Sequence, residues 1–187
     1  MPFSHPLRIA GFSGSQGSAS KTRALVDLAT ARAAAQFGAA ANTYDLADLQ
    51  PSLGAASTLA DLAPLPRAIV DTLVSADALV IGSPVYKGSY SGLFKHLFDL
   101  IDPAALAGKP ILLTATGGGE KHALVIEHQL RPLFGFFEAI SLPTGVYASG
   151  ADFVDGQPVS PVLTARLDRA VAQFGPFLTR ARVATAA

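Results

Sequence analysis

The sequence predicts a doubly wound α/β fold: a five-stranded parallel sheet with helices on both faces, in a single domain over residues 1–187. Three observations predict it. A continuous apolar run at residues 78–82 does not alternate with polar residues, which marks a strand covered on both faces, and residues 111–115 repeat that pattern. Such runs alternate along the chain with segments of helical period, the rhythm of a parallel sheet built from strand–helix–strand units. Right-handed crossovers then carry the helices to both faces. A chain of 187 residues buries roughly 70% of its unfolded surface on folding, enough for a core of its own.

In chain order, the first strand falls at residues 7–12, and a small polar stretch, 13–20, separates it from a helix patterned by Leu25, Val26, Leu28 and Ala29. A short second strand is expected at 43–46. Residues 51–66 hold three prolines and read as a long connection into a helix over 66–75. Asp77 and the pair Ser83-Pro84 bound the third strand, 78–82. Loop 83–91 leads into a helix ending near Asp102, whose Leu93, Phe94, Leu97, Phe98 and Ile101 share one helical face. The fourth strand, 111–115, is followed by Thr116, three glycines and a helix over about 120–137; a fifth strand is expected at 140–148. Asp155-Gly156 marks the turn of a hairpin-like excursion, and the last helix covers 164–178.

Lys plus Arg and Asp plus Glu both number 14, so the chain carries no field of either sign to draw in nucleic acid or an anionic membrane surface. With no cysteine, it has no disulfide, zinc–cysteine site or thiolate nucleophile, and redox chemistry needs a borrowed cofactor. No stretch approaches the length of about 18 apolar residues that spans a membrane, and the first residues lack a signal-peptide run, so the expected location is the cytoplasm. Half the residues are hydrophobic and 15% are charged, a composition that folds and leaves apolar surface for a second copy of the chain.

In doubly wound sheets ligands bind beyond the carboxyl ends of the strands, which here offer three loops: 13–22, 83–91 and 116–120. The first sets Ser13, Ser15, Ser18, Ser20 and Thr22 between a strand and a helix start, where backbone N–H groups and the helix dipole favour an anion. A phosphate monoester suits it; an ordinary serine-rich helix cap is the alternative. Residues 15–22 overlay the P-loop spacing, but serine stands at both required glycines and neither central strand ends in a magnesium-holding aspartate, which speaks against a nucleotide hydrolase. Gly11, Gly14 and Gly17 step by threes, unlike the dinucleotide fingerprint. Asp45 therefore has no partner motif and reads as a strand-end cap or a solvated acid.

Gly14-Ser15 with Ser20-Lys21-Thr22, the block from Ser83-Pro84-Val85-Tyr86-Lys87 through Ser91-Gly92-Leu93-Phe94-Lys95, and Thr116-Gly117-Gly118 together resemble the flavodoxin-like NAD(P)H-dependent FMN reductase family. The likeness covers nearly the whole chain and is nearest to the alkanesulfonate-utilisation branch, whose members supply reduced flavin to a separate monooxygenase. It implies a flavodoxin-like sheet, FMN as cofactor or substrate, and NADH or NADPH as electron donor. Residue by residue, it implies that Ser13, Ser15, Ser20 and Thr22, with Lys21 alongside, hold the FMN phosphate. Pro84, Val85, Tyr86 and Lys87 would run along the flavin. Thr116, Gly117, Gly118 and Gly119 would bring bare backbone close to the ring, leaving room for the nicotinamide. His122 is a candidate contact for NAD(P)H, or an exposed first-turn histidine. Gln16 and Gly17 stand where many members carry proline and arginine, which implies looser flavin binding. No catalytic acid or base is required for direct hydride transfer, and none is assigned.

Within the helix expected at 120–137, Pro132 has no N–H for the carbonyl four residues earlier, so a kink or a π-type bulge is expected around His128. The resemblance implies an inserted residue at that position, in a π-helix at the subunit contact of a homodimer or homotetramer. Leu133, Phe134, Phe136 and Phe137 are apolar on more than one helix face, which also asks for cover. The function implied is an FMN reductase passing FMNH2 to a flavin-dependent monooxygenase. The alternatives are an FMN-containing quinone or azo reductase, and a flavodoxin-type electron carrier. Such carriers are usually strongly acidic, unlike this chain.

Overall fold

The protein is described by a computed structural model covering residues 6–17 and 19–178. Its sheet is built from β1 (Arg8–Ser13), β2 (Ala40–Asp45), β3 (Ala78–Pro84) and β4 (Pro110–Gly117), with β5 (Ile140–Ser141) and β6 (Val146–Ser149) both paired to β4. All pairings are parallel, in the order β2-β1-β3-β4-β5, the arrangement of flavodoxin-like sheets. The helices are α1 (Lys21–Phe37), α2 (Pro64–Ser75), α3 (Gly92–Asp99), α4 (Arg131–Phe136) and α5 (Pro161–Ala172). A short antiparallel hairpin, β7 (Phe153–Val154) with β8 (Gln157–Pro158), turns at Asp155-Gly156.

Successive residues of the central strands feed two separate apolar layers, which is why their runs do not alternate with polar residues. Phe12, Leu79, Ile81, Ile111 and Leu113 pack with α2, α3 and α4. Ile9, Val80 and Leu112 pack on the other face with α1 and α5. Within α3, Phe94 and Phe98 lie tilted at 4.9 Å, and Phe98 meets Phe134 edge-on at 4.9 Å, fastening α3 to α4. Gly82 lets α1 lie close to the sheet, because a Cβ there would overlap Val26 and fall 2.6 Å from Thr114 Oγ1.

Several elements depart from the sequence reading. The second strand starts at Ala40 rather than 43, because pairing with β1 extends over exposed Ala40, Ala41 and Asn42, which carry no apolar signal. Three 3-10 turns, Ala47–Leu49, Ser52–Ala55 and Leu59–Asp61, occupy the long connection, and they bury Leu49 and Leu53. Prolines in the first turn open α2 at Pro64 and α5 at Pro161, earlier than expected, since a proline there forfeits no helical hydrogen bond. The helix read as one piece over 120–137 is three: a 3-10 turn at Glu120–His122, a π turn at Ile126–Leu130, and α4. In the π turn the Arg131 N–H reaches back five residues to the Ile126 carbonyl, and donorless Pro132 comes next, where the register returns to four.

The fifth strand is interrupted. Between its two pieces, the carbonyls of Leu142 and Pro143 accept from Arg131 at 3.0 and 3.3 Å. The Thr144 N–H donates to Gln173 at 2.9 Å and the Gly145 carbonyl accepts from Arg166 at 2.8 Å. A Cβ on Gly145 would fall 2.6 Å from Ile126, so the break also makes room for the first residue of the π turn.

Candidate functional site

The three loops after β1, β3 and β4 meet at one end of the sheet, and they are stitched to one another by hydrogen bonds. Gly14 donates its N–H to the Gly82 carbonyl at 2.7 Å, Ser91 Oγ donates to the Gly14 carbonyl at 3.1 Å, and Val85 donates to the Thr116 carbonyl at 2.8 Å. Thr22 Oγ1 lies 2.6 Å from Thr116 Oγ1, tying the start of α1 to the third loop.

In the first loop, buried Ser13 lies 2.7 Å from Ser15, and Ser20 donates to Ser15 at 2.6 Å while accepting the Arg23 N–H at 3.1 Å as the cap of α1. The chain of hydroxyls thus ends at a helix start, whose first N–H groups have no partner within the helix. Arg23 fixes that start from behind, pairing with Asp27 at 3.0 Å and Asp45 at 3.1 Å. Asp45 is buried and accepts the Ala47 N–H at 2.8 Å, so of its two sequence readings the strand-end cap is the one found.

A cleft of about 470 Å³ opens here, lined by Ser15, Gln16, Gly17, Ala19, Ser20, Lys21, Thr22, Pro84, Tyr86 and Thr116. Seven of the residues singled out in the sequence are therefore brought together: Ser15, Ser20, Lys21, Thr22, Pro84, Tyr86 and Thr116. Ser13 supports them from beneath. Lys21 Nζ sits 5.6 Å from the centre of the Phe153 ring, linking the loop to the strand that opens the short hairpin. A second cleft of about 280 Å³ lies beyond Gln16 and Tyr86, bordered by Gly14, Leu46 and residues 91–93.

The remaining candidates sit around this cleft rather than in its wall. Val85 is half-buried and engaged through its backbone. Lys87 occupies the exposed tip of a tight turn in which Tyr86 and Ser89 exchange backbone hydrogen bonds of 2.8 and 3.2 Å. Both central residues are left-handed, Lys87 with φ 52° and Gly88 with φ 87°, the geometry of a type I′ turn. Gly117, Gly118 and Gly119 continue from Thr116, and His122 is half-buried just past them. A Cβ on Gly118 or Gly119 would meet nothing within 4 Å, so bare backbone faces open space there. His128 is exposed at the centre of the π turn. Its neighbour Gln129 accepts a hydrogen bond from Ser89 at 3.1 Å, which joins the π turn to the turn carrying Tyr86.

Tyr147 escaped the sequence reading. Its hydroxyl donates to the Gly119 carbonyl at 2.6 Å, and the same hydroxyl end of the side chain fills the space a side chain on Gly117 would need. Burial, and then the negative charge of Glu120, push the phenol above its usual pKa, so it stays a neutral donor. The available signal was its place near the carboxyl end of the last strand, where ligand sites of such sheets collect.

Chemically, the hydroxyls at a helix start suit a phosphate monoester, and the open glycine backbone opposite admits a flat ring. Among the described residues, no group of three or more His, Asp or Glu side chains is placed to hold a metal ion, and no helix is long and apolar enough to cross a membrane.

The family profile for NADPH-dependent FMN reductases matches residues 7–153. Over 94% of its length the chain is 45% identical to the NADH-dependent FMN reductase SfnF of Pseudomonas fluorescens, covering 96% of that protein. It is 47% identical to an NADPH FMN reductase of Pseudomonas aeruginosa over 91% of this chain and 92% of the relative. Among solved structures it superposes on an oxidoreductase from Corynebacterium diphtheriae with a TM-score of 0.81 and 34% identity, covering 95% of this chain and 99% of the other.

Proposed function

The chain belongs to the NADPH-dependent FMN reductase family, and from that premise we propose that it takes hydride from NADH or NADPH to FMN and passes FMNH2 to a flavin-dependent monooxygenase of the alkanesulfonate type. The observation that carries this reading is one cleft that gathers the hydroxyls at the start of α1 with Pro84, Tyr86 and Thr116, the residue from which the glycine loop departs. Bound FMN would supply the hydride-accepting ring. Ser15, Ser20 and Thr22, with Ser13 behind them and Lys21 alongside, would hold its phosphate. Pro84 and Tyr86 would flank the flavin. The N–H groups of residues 116–119 would stabilise the negative charge that reduction places on the ring, so no side-chain acid or base is needed.

Steady-state oxidation of NADH and of NADPH against FMN, FAD and riboflavin tests this. The expected result is a colourless protein whose NAD(P)H oxidation depends on added FMN. A yellow protein that reduces quinones without added flavin would overturn it.

The protein acts, on this reading, as a single-domain homo-oligomer, dimer or tetramer, in the compartment where NAD(P)H is regenerated, the cytoplasm. The subunit contact falls on the π turn and α4. Phe134 and Phe137 are buried within the chain, whereas Phe136 remains 72% exposed and Leu124, just before the π turn, 61%. Sedimentation at micromolar concentration is expected to give a dimer or tetramer, and a strictly monomeric species refutes that part of the proposal.

A further inference from the structure

The glycine loop after β4 raises a physical question. Three consecutive glycines have more conformational freedom to lose than any other tripeptide, yet the loop must keep one shape if a ring and a nicotinamide are to stack beside it. Its fixed end is Thr116, held by the Val85 N–H and the Thr22 hydroxyl. Its far end is held by Tyr147. In β6, Tyr147 lies opposite Ala115, and its buried neighbours Val146 and Ala148 point to the α1 and α5 side of the sheet. Tyr147 therefore projects to the other face, along the underside of the loop. The hydroxyl end of the phenol closes the space beside Gly117, with ring Cζ 3.3 Å from where a Cβ would stand, and the hydroxyl reaches the Gly119 carbonyl at 2.6 Å. On Gly118 and Gly119 the space a side chain would take is empty. One side of the loop is thus backed by the phenol while open space remains at the next two residues.

We propose that Tyr147 is a positioning residue for hydride transfer: by holding the Gly119 carbonyl and backing Gly117, it fixes the loop beside which the nicotinamide of NAD(P)H stacks on the flavin. The proposal rests on the FMN reductase reading above. The effect falls mainly on the nicotinamide, because FMN has a second anchor in the hydroxyl loop across the cleft.

Tyr147→Phe keeps the ring and removes the hydroxyl, and with it both the hydrogen bond and the atom nearest Gly117. Its KM for NADH or NADPH is expected to rise about 2- to 10-fold, the loss of one hydrogen bond, with the KM for FMN changing less than about 2-fold. Backbone hydrogen exchange of the segment 116–123 in the same variant is expected to quicken. Tyr147→Leu, which also takes away the ring beside Gly117, is expected to raise the nicotinamide KM further. If the wild type does not reduce FMN at all, the functional reading fails on its own. If the wild type is active and Tyr147→Phe shows only a lower melting temperature, with unchanged nicotinamide KM and unchanged exchange, Tyr147 is merely structural and the inference is overturned.

Discussion

Deleting His128 is expected to leave a folded protein whose NAD(P)H-driven reduction of FMN falls by up to roughly 100-fold, the cost of misplacing groups at a reacting centre by about 1 Å. The reason lies in helical phase. Removing one residue closes the π turn to ordinary α-helix and rotates α4 by about 100° relative to the turn before it, from 3.6 residues per turn. Ile126 is seated over Gly145, Gln129 receives the Ser89 hydroxyl, and Arg131 holds the carbonyls of Leu142 and Pro143. These three contacts straddle the extra residue and cannot all survive its loss. If Ile126 stays in place, Gln129 swings away from Ser89 and the turn bearing Tyr86 loses its tie. His128→Ala keeps the backbone register and removes only an exposed side chain, so it is expected to remain within about 2-fold of wild type. Melting temperature, copurified flavin and turnover of both variants check this, and equal behaviour of the two would refute it.

Replacing both Ser20 and Thr22 by alanine is expected to weaken FMN binding by about 1–3 kcal/mol, the range for hydrogen bonds to a charged group. In dissociation constant that is roughly 5- to 150-fold. Riboflavin provides the control: lacking the phosphate, it should bind wild type and variant alike, and bind wild type far more weakly than FMN does. The substitution also removes the cap of α1, which lowers stability by about 1 kcal/mol, so affinity is to be measured on folded protein. Equal wild-type affinity for the two flavins, or an unchanged FMN affinity in the variant, would move the phosphate elsewhere.

The parts of the fold legible in the sequence were those where burial dominates. The runs in β3 and β4 are apolar because both faces are covered, and the rule that ligands gather at strand ends then selected the loops. Ser15, Ser20, Thr22, Pro84 and Thr116 are singled out that way, helped by the resemblance, and the fold brings them to one cleft. The features that escaped depend on contacts between distant segments. The early start of β2 comes from its pairing with β1, since its first residues are exposed. The interruption at Pro143 is sustained by Arg131, Arg166 and Gln173, all far from it in the chain. Lys87 is a charged residue in a block that carries the family resemblance, but the left-handed turn it helps form takes it to an exposed tip. Tyr147 carries in the sequence only the weak signal of a strand end, because its partner Gly119 lies 28 residues away.

The interruption at Pro143 also bears on how the folded chain avoids sticking to itself. A sheet edge normally offers a row of free N–H and C=O groups on which another chain can build a strand, the first step towards aggregates. Here the edge opposite β2 is divided into a two-residue and a four-residue piece. The backbone groups between them are already taken, the Leu142, Pro143 and Gly145 carbonyls by arginines and the Thr144 N–H by a glutamine. An invading strand would have to displace two guanidinium groups to gain a register longer than four residues. A chain with balanced charge has little net repulsion to keep its copies apart, and along this edge its solubility is protected by side chains that occupy the template.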